Sequence, residues 1–289
     1  MAGNGNIDFF CLECYTDKSE VNTLQTEVIK IDRENMDLDA LKRAGEILKS
    51  GGLVAFPTET VYGLGGDGLH EESSRKIYEA KGRPSDNPLI VHVADMEHLE
   101  KIVKKVPKAA YKLAEAFWPG PMTMILEKND LVPYGTTGGL DTVAIRMPSD
   151  PIALELIRQG GGYIAAPSAN TSGRPSPTTA QHVYEDLQGK IPMILDGGAV
   201  TIGLESTIVD LTEEIPTILR PGFISLDMVQ AVLGEAQIDR GLIANDSNIH
   251  PKAPGMKYRH YAPKADLKIV EGPMEQVISY INEQAEKGR

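Results

Sequence analysis

The stretch LVAFPTETVYGLGGDG, residues 53–68, joins an apolar run to a polar turn and a glycine-rich segment. Residues 53–56 are all apolar, which predicts a short core strand. Residues 57–60 then bring a proline, two hydroxyls and a carboxylate, and residues 63–68 include four glycines. Because an ordinary turn needs only one glycine or asparagine, this strand end is predicted to form a surface that holds a ligand.

The overall composition is that of an acidic globular protein. The 289 residues allow one large domain, or one domain and part of a second. Apolar content of 41% supports a buried core, and the net charge of −12 argues against a surface that binds nucleic acid throughout. A local basic pocket is compatible with that charge.

The first residues and the two cysteines indicate the cellular compartment. Residues 1–24 carry neither the basic start nor the long apolar core of a secretory signal, and no run of about 18 apolar residues predicts a membrane-spanning helix. Cys11 and Cys14 give no disulfide framework, and their C-x-x-C spacing lacks the second pair that a zinc site needs. We therefore expect a cytoplasmic protein without membrane association or a metal site of its own, and an N-terminal extension over residues 1–24.

Short apolar runs rich in Val and Ile alternate with helical patterns along the chain. Apolar residues at helical spacing between Leu38 and Leu48 predict a helix that is capped by Asp37 and stopped by Gly51 and Gly52. The alternation predicts an α/β domain whose helices pack on a sheet. Further strands are predicted at 53–56, 89–93, 122–126, 142–147, 163–166, 192–195, 206–211 and 216–220, and further helices near 71–81, 95–105, 107–117, 151–159, 178–187 and 226–233.

The pattern changes after residue 235. Periodicity is lost over 235–252, and the next segment, APGMKYRHYAPKAD, combines proline and glycine with aromatic and basic side chains, unlike a flexible Gly/Ser spacer. Residues 266–289 predict one strand, a turn and one helix, which is too little to bury a core. This end either packs on the main domain or opens a second domain.

Four polar clusters each adjoin an apolar strand-like run. Each has a structural explanation, because Ser and Thr beside Pro and Gly often cap turns, and Lys-Gly-Arg-Pro often ends a helix. His92 is predicted on the strand face opposite two valines, where a lone histidine is often structural, and Arg146 is a lone cation in a strand pattern. The clusters are Thr58, Glu59 and Thr60; Lys81, Arg83, Asn87 and His92; Ser168, Asn170, Ser172, Arg174 and Ser176; and Glu205, Ser206, Thr207 and Arg220.

Taken together, the clusters favour a binding crevice. Strand ends in an α/β sheet line such crevices, and this one would hold several cations and hydroxyls but little carboxylate. Lysine supplies a point charge for phosphate, and arginine a two-pronged donor for phosphate or carboxylate, so the lining suits an anionic ligand. The glycines of GLGGDG and GTTGGLDT are predicted to let backbone amides approach phosphate oxygens. The sequence has no Walker, Gly-x-Gly-x-x-Gly or protein kinase motif.

Seven ordered motifs between about residues 25 and 235 carry a family resemblance: FPTETVYGLG, KGRPSDNPLIVHV, WPGPMTMIL, GLDTVAIRMP, APSANTSGRPSPT, ESTIVD and LRPG. With them the chain resembles the YrdC/Sua5 family of threonylcarbamoyl-AMP synthases. The segment APGMKYRHYAP resembles the linker of the longer Sua5 form, which continues into a second, Rossmann-like domain.

The resemblance implies a fold, a domain order and a reaction. The fold is a YrdC-like twisted mixed sheet with flanking helices around a basic concave cleft. Residues 25–240 would form the catalytic domain, 241–265 the linker, and 266–289 the start of a truncated C-terminal domain. L-Threonine, bicarbonate and ATP with Mg²⁺ would give threonylcarbamoyl-AMP and pyrophosphate, and other proteins would use the product for the t6A modification of adenosine 37 in tRNA.

The resemblance also assigns site residues. Lys81 and Arg83 would be catalytic and, with Mg²⁺ carried on the triphosphate, would offset charge on the phosphates. Arg146 would pair with the threonine carboxylate, and no residue is required as a general base. Threonine would lie against Thr60, His92, Arg146 and Ser206, and ATP against Lys81, Arg83, Asn87, Thr142, Ser168, Ser176 and Arg220, with Tyr258 or Tyr261 closing over the nucleotide.

Two alternatives carry different expectations. An RNA-binding module without synthase activity would use the same basic concavity, and weak tRNA contact could also accompany the synthase. A related carbamoyl transfer, as in YrdC-like domains of hydrogenase-maturation proteins, fits less well because this chain lacks the accompanying acylphosphatase and zinc-finger segments. A lysine run that could extend the concavity, although such a run is more often a solvated helix face, comprises Lys101, Lys104, Lys105 and Lys108.

Overall fold

The computed structural model describes residues 24–239 and 268–287, in which strands and helices alternate as the sequence predicts. The strands are β1 (Glu27–Lys30), β2 (Val54–Phe56), β3 (Gly63–Asp67), β4 (Ile90–His92), β5 (Met122–Glu127), β6 (Thr142–Arg146), β7 (Ile164–Ala165), β8 (Met193–Asp196), β9 (Thr207–Asp210), β10 (Thr217–Arg220) and β11 (Gln237–Ile238). The helices are α1 (Leu38–Lys49), α2 (Glu71–Lys81), α3 (Met96–Ile102), α4 (Lys108–Phe117), α5 (Tyr134–Thr137), α6 (Pro151–Gln159), α7 (Ala180–Leu187), α8 (Leu226–Leu233) and α9 (Met274–Glu286).

The strands join one mixed sheet in the order β1-β8-β2-β3-β7-β4-β6-β5-β9-β10-β11. Parallel pairs such as β4 with β6 adjoin antiparallel pairs such as β6 with β5. The prediction of a mixed sheet with flanking helices is confirmed. Its order, in which β6 lies between β4 and β5, places the ends of strands that are far apart in sequence side by side.

Helices cover both faces of the sheet from β1 to β7. On one face, Leu41 of α1 and Leu156 of α6 pack against Phe56 of β2. On the other face, Ile77 of α2 and Leu187 of α7 pack against the same half of the sheet. Burying an aliphatic side chain of this kind is worth about 1.5–3 kcal/mol, so helix packing stabilises this half of the sheet from both sides.

The half of the sheet from β4 to β10 has its large apolar core on one face only. There, Val143 and Ile145 of β6 pack with residues of α3, α4 and α8. Side chains alternate along a strand, so Thr142, Ala144 and Arg146 lie on the opposite face. Among the described residues, the small apolar cluster of that face comes from strands and includes no helical residue. The candidate site occupies this second face.

The glycine-rich segment of the opening stretch is strand β3. A Cβ atom on Gly65 would lie 2.8 Å from Ile164 Cγ2 and 2.9 Å from the Phe56 ring, and one on Gly66 would lie 3.1 Å from Ile77 Cδ1. These glycines therefore allow close packing of the core. The prediction that GLGGDG cradles phosphate is wrong for Gly65 and Gly66, because both glycines pair with neighbouring strands and are covered by the side chains of Ile164, Phe56 and Ile77.

Several short elements are not evident from sequence. Strand β1 is mostly exposed, α5 is one turn, and β11 has two residues, so none carries a clear periodic pattern. Helix α9 confirms the predicted C-terminal helix, but residues 268–270 form no strand. None of the α9 residues is buried. Among the described residues, no helix has both the length and the apolar character that spanning a bilayer requires.

Candidate active site

A cleft opens on the face of the sheet that carries Arg146. Three loops form its walls: the turn after β2, the segment after β7, and the segment before β9. Of the four lysine and arginine side chains that the family resemblance assigns to substrates, Arg83, Arg146 and Arg220 line it, together with one carboxylate, Glu205. The other polar side chains of the lining are Thr58, Thr60, His92, Ser168 and Ser206.

Hydrogen bonds within the turn after β2 fix its hydroxyl groups. Thr58 Oγ1 donates to the Val61 carbonyl at 2.7 Å and accepts from the Thr60 amide at 3.2 Å. Its oxygen lies 2.9 Å from Thr60 Oγ1. The backbone of Glu59 and Thr60 accepts hydrogen bonds from residues 202 and 203. The polar turn is therefore rigid, and it holds the Thr60 hydroxyl in the cleft.

Arg146 forms a buried ion pair at the base of the cleft. Its Nη2 lies 2.7 Å from Glu59 Oε1, and the two side chains are 4% and 8% exposed. Nη1 donates to Thr60 Oγ1 at 2.9 Å, and Glu59 Oε2 accepts from the Ser149 amide at 3.1 Å. The interpretation of Arg146 as a lone cation is therefore wrong. The FPTETV motif did contain a signal, because a buried arginine in a strand needs a carboxylate.

His92 lies beside Arg146, its register partner across β4 and β6. Its ring meets the Phe56 ring edge to face, and Nδ1 is 3.2 Å from the Ile90 carbonyl, which fits an Nδ1–H tautomer. Burial, followed by the Arg146 charge, lowers the pKa of His92 to about 3. The ring is therefore neutral at physiological pH, and the predicted strand face is confirmed by the core position of the flanking valines.

This lowered pKa predicts acid sensitivity. The folded protein binds fewer protons at His92 than the unfolded chain between about pH 6.5 and pH 3, so the stability of the fold falls as pH falls through that window. Each unit of the pKa difference is worth about 1.4 kcal/mol. We expect His92→Asn, which keeps a donor for the Ile90 carbonyl, to flatten the loss of unfolding free energy between pH 6.5 and pH 4 in urea titrations. His182→Asn, at an exposed position, is the control. The prediction would be contradicted if the free energy of unfolding changed with pH by the same slope in wild type and in both variants.

Ser206 and Arg220 are locked together at the start of β9. Arg220 Nε donates to the Ser206 carbonyl and Nη2 to Ser206 Oγ, both at 3.0 Å. Ser206 Oγ also lies 2.7 Å from Thr123 Oγ1. A Cβ atom on Gly222 would stand 2.5 Å from the Glu205 carbonyl, so glycine is needed where the LRPG motif passes the ESTIVD motif. The ESTIVD and LRPG motifs are therefore joined by direct hydrogen bonds and close packing.

Lys81 lies behind the segment after β7 and does not line the cleft. Its buried ammonium donates to the Ser168 carbonyl, to the Asn170 carbonyl at 2.6 Å and to Asn170 Oδ1 at 3.4 Å. Burial and the nearby Arg83 charge lower the pKa of Lys81 well below its ordinary value, whereas the three oxygens favour the ammonium form. Lys81 therefore shapes the wall that carries Ser168, and its predicted direct contact with phosphate does not fit this position.

Arg83 and Asn87 occupy the segment between α2 and β4. Arg83 Nη2 donates to the Asn87 and Pro88 carbonyls at 3.1 and 3.3 Å, and its side chain separates the cleft from a second cavity. Asn87 is fully buried, and among the described residues neither Oδ1 nor Nδ2 has a hydrogen-bond partner. Its predicted contact with ATP stays a prediction.

Several predicted residues lie outside the cleft lining. Thr142 pairs with Glu127 at the far end of β6, about 13 Å along the strand from Arg146. Within the part of the chain that the structure describes, Ser176 is linked to the cleft through Glu205, to whose Oε1 it donates a hydrogen bond. Gly138 and Gly139 of GTTGGLDT line the second cavity. The linker segment lies outside the described residues, as do Tyr258 and Tyr261.

The lysine run does not extend the cleft. Lys101 belongs to α3, where it pairs with Glu97 at 2.7 Å, and Lys108 begins α4. Both helices pack on the face of the sheet opposite Arg146. Of the two interpretations of this run, the structure therefore supports an exposed, solvated surface, and the possible extension of the basic concavity is wrong. Within residues 24–239 and 268–287, no cluster of three or more His, Cys, Asp or Glu side chains is arranged to hold a metal ion.

Comparisons with known proteins agree with this architecture. The Sua5/YciO/YrdC family model, described as "Telomere recombination", matches residues 46–222, and a model described as "Threonylcarbamoyl-AMP synthase, C-terminal domain" matches residues 224–289. The threonylcarbamoyl-AMP synthase of Pyrococcus abyssi is 52% identical over 251 residues, which cover 87% of this chain and 74% of that protein. The Bacillus subtilis synthase is 51% identical over 250 residues, which cover 86% and 72%.

A solved structure extends the likeness to three dimensions. The crystal structure of P. abyssi Sua5 complexed with L-threonine has a TM-score of 0.85 and 51% sequence identity, and the alignment covers 90% of this chain and 76% of that chain. The match of family models and of relatives over most of the chain shows the family. The chain belongs to the Sua5/YciO/YrdC family.

Proposed function

We propose that this chain is a threonylcarbamoyl-AMP synthase, a nucleotidyltransferase that makes threonylcarbamoyl-AMP and pyrophosphate from L-threonine, bicarbonate and ATP. The observation that carries the proposal is the cleft in which Arg83, Arg146 and Arg220 converge. Support comes from relatives that bear this name at 51–52% identity and from a relative solved with L-threonine.

The threonine part of the cleft would be the patch around Arg146. Thr60 hydrogen-bonds to Arg146 directly. His92 is the register partner of Arg146 on β4, and Thr123 is the register partner of Arg146 on β5. Ser206 hydrogen-bonds to Thr123. All four residues assigned to threonine therefore lie together. A guanidinium has five N–H donors, so Arg146 can hold Glu59 and still receive the threonine carboxylate. Glu59 fixes the orientation of that guanidinium.

The nucleotide part of the cleft would be the rim formed by Arg83, Ser168 and Arg220. Two guanidiniums there can bind phosphate oxygens bidentately, and they would stabilise charge that develops as pyrophosphate leaves. We propose that Mg²⁺ arrives on the triphosphate, since the described residues offer no carboxylate cluster for it. Lys81 would act by holding Ser168 in place.

Catalysis would rest on positioning and charge. The amine of threonine and bicarbonate give a carbamate, whose oxygen attacks the α-phosphorus of ATP, and pyrophosphate leaves. Three anionic or zwitterionic reactants repel one another in water, and guanidiniums lower the cost of bringing them together. Orienting reactants in this way can supply a large part of the barrier reduction. The product would serve t6A modification of tRNA by other proteins, which implies a cytoplasmic location.

The test is the requirement for both small substrates. Purified protein with ATP and Mg²⁺ should release pyrophosphate only when both L-threonine and bicarbonate are present, and mass spectrometry should find threonylcarbamoyl-AMP. Release at the same rate without threonine would overturn the proposal. The RNA-binding alternative would be favoured if the protein bound tRNA with an affinity that falls steeply as salt rises and released no pyrophosphate under any condition.

A further inference from the structure

Glu205 is the carboxylate of the cleft lining. Its Oε1 accepts a hydrogen bond from Ser176 Oγ, and its backbone is fixed by the close approach of Gly222. Among residues 24–239 and 268–287, the structure gives Glu205 Oε2 no hydrogen-bond partner. The charged and titratable groups that share the lining are Arg83, His92, Arg146 and Arg220. A rigidly held carboxylate with one uncommitted oxygen therefore stands among cations.

The chemistry of the proposed function needs such a group, and the role of Glu205 rests on that function. An amino acid in neutral water carries an ammonium, which has no lone pair for attack on carbon. When the amine nitrogen bonds to the bicarbonate carbon, a C–O bond breaks and water leaves. The balance is R-NH3⁺ + HCO3⁻ → R-NH-CO2⁻ + H2O + H⁺. One proton must go to an acceptor close to the amine.

The other side chains in or beside the cleft are either already hydrogen-bonded or poor proton acceptors. Glu59 is held by Arg146 and by the Ser149 amide. His92 is neutral, but its pKa of about 3 makes it a poor base, and its Nδ1 faces the Ile90 carbonyl. Guanidiniums are donors only. Among the described side chains of the lining, Glu205 alone combines negative charge with an available oxygen.

We propose that Glu205 binds the ammonium of the amino acid substrate through Oε2 and accepts the proton released when the carbamate forms. Ser176 orients this carboxylate through Oε1, which gives the end of the APSANTSGRPSPT motif a role through Glu205 even though Ser176 does not line the cleft. Glu205 adjoins Ser206 in sequence, so the carboxylate for the amine and the hydroxyl assigned to threonine come from one strand end. The role makes Glu205 a catalytic residue and a specificity determinant for amino acids over simple hydroxy acids.

The kinetic test is Glu205→Gln over a range of pH, with pyrophosphate release as the readout. Positioned proton transfer is typically worth 10²–10⁴-fold, and we expect kcat/KM for threonine to fall by about 100-fold at pH 7. The variant can use only threonine whose amine has already lost its proton in water. The fraction of threonine in that form rises about tenfold per pH unit below the amine pKa. The ratio of wild-type to variant kcat/KM should therefore shrink as pH rises, and KM for ATP should change little.

The binding test needs no turnover. Calorimetry compares L-threonine with 3-hydroxybutanoate, which keeps the carboxylate and hydroxyl but lacks the amine. A hydrogen bond to a charged group accounts for about a 10- to 100-fold preference, so wild type should prefer threonine by that factor and Glu205→Gln should lose most of the preference. Glu115→Gln, on an exposed position of α4, is the matched control and should behave as wild type.

The outcomes separate this inference from the function on which it depends. If wild type releases threonine-dependent pyrophosphate while Glu205→Gln keeps its rate and its preference for threonine, the inference is overturned and the function stands. If the variant is slower by the same factor at every pH and still prefers threonine, Glu205 is structural and the inference is overturned. If wild type has no threonine-dependent release and binds no threonine, the proposed function itself fails.

Discussion

Arg146→Ala is expected to raise the threonine concentration for half-maximal pyrophosphate release by about 100-fold or more, while the ATP requirement changes less than about tenfold. Truncating one member of a buried, hydrogen-bonded charge pair typically costs 2–5 kcal/mol of binding, and about 1.4 kcal/mol is a factor of ten. The nucleotide rim of Arg83 and Arg220 is untouched by the change. Initial rates over a grid of threonine and ATP concentrations measure both requirements.

The same change also weakens the fold, because Arg146 compensates Glu59. Removing the guanidinium leaves a carboxylate that is 8% exposed without its partner, and breaking a buried pair in this way costs about 3–5 kcal/mol. A double variant, Arg146→Met with Glu59→Gln, removes both charges and should recover much of that stability in urea titrations. It should not recover threonine affinity, which distinguishes lost binding from lost folding.

A second arginine provides the control. Arg33 pairs with Asp150 at 2.9 Å, outside the cleft. Arg33→Ala should also lower stability, since Asp150 is buried, but it should leave the threonine requirement near the wild-type value. An equal rise in the threonine and ATP requirements of Arg146→Ala, matched by Arg33→Ala, would mean that Arg146 only supports the fold.

Local patterns are enough to predict most of the scaffold. The apolar run 53–56 and the helix capped by Asp37 are recovered because their burial and capping depend on neighbours in sequence. Strand β3 escapes such prediction because glycine carries no side chain that could show a period of two. Its glycines are explained only by the Phe56 and Ile164 side chains that pack on them, and Ile164 is about a hundred residues away in sequence.

The site is predictable as a set of loops but not as a set of contacts. Three motifs do bring Thr60, Arg146 and Ser206 to one patch. The pairing of Glu59 with Arg146 joins residues that are 87 positions apart, and no local spacing encodes it. A basic residue also looks the same in sequence whether it faces a cleft or fixes a wall. For that reason the sequence favours a phosphate contact for Lys81, although its ammonium donates hydrogen bonds to oxygens of Ser168 and Asn170.

Lys81→Met should therefore disable the enzyme by releasing a wall of the cleft. The ammonium holds the carbonyls of Ser168 and Asn170, and the Lys81 carbonyl in turn accepts from the Ser172 amide at 2.8 Å. Asn170 continues the network, since its Nδ2 donates to the Thr171 and Arg174 carbonyls, each at 2.9 Å. Methionine matches the length of the lysine stem but donates nothing. Each buried acceptor left unsatisfied costs about 1–3 kcal/mol.

We expect Lys81→Met to lower the free energy of unfolding by about 3–5 kcal/mol and to reduce kcat by about 100-fold or more, because small displacements of a positioning group have effects of that size. The ordering of residues 166–174 can be followed by hydrogen exchange, and their amides should lose protection while the core strands keep it. Urea titrations and pyrophosphate release at saturating substrates give the other two quantities.

Lys76→Met is the matched control, because Lys76 lies on the same helix and its Nζ donates to the Gly51 carbonyl at 2.7 Å, away from the cleft. It should cost about 1 kcal/mol and leave kcat near wild type. A direct phosphate role for Lys81 predicts a different result: Lys81→Met would lose activity and raise KM for ATP while residues 166–174 kept their protection. Because the amides of this segment report on the wall itself, hydrogen exchange decides between the two roles even though both of them predict an inactive Lys81→Met variant.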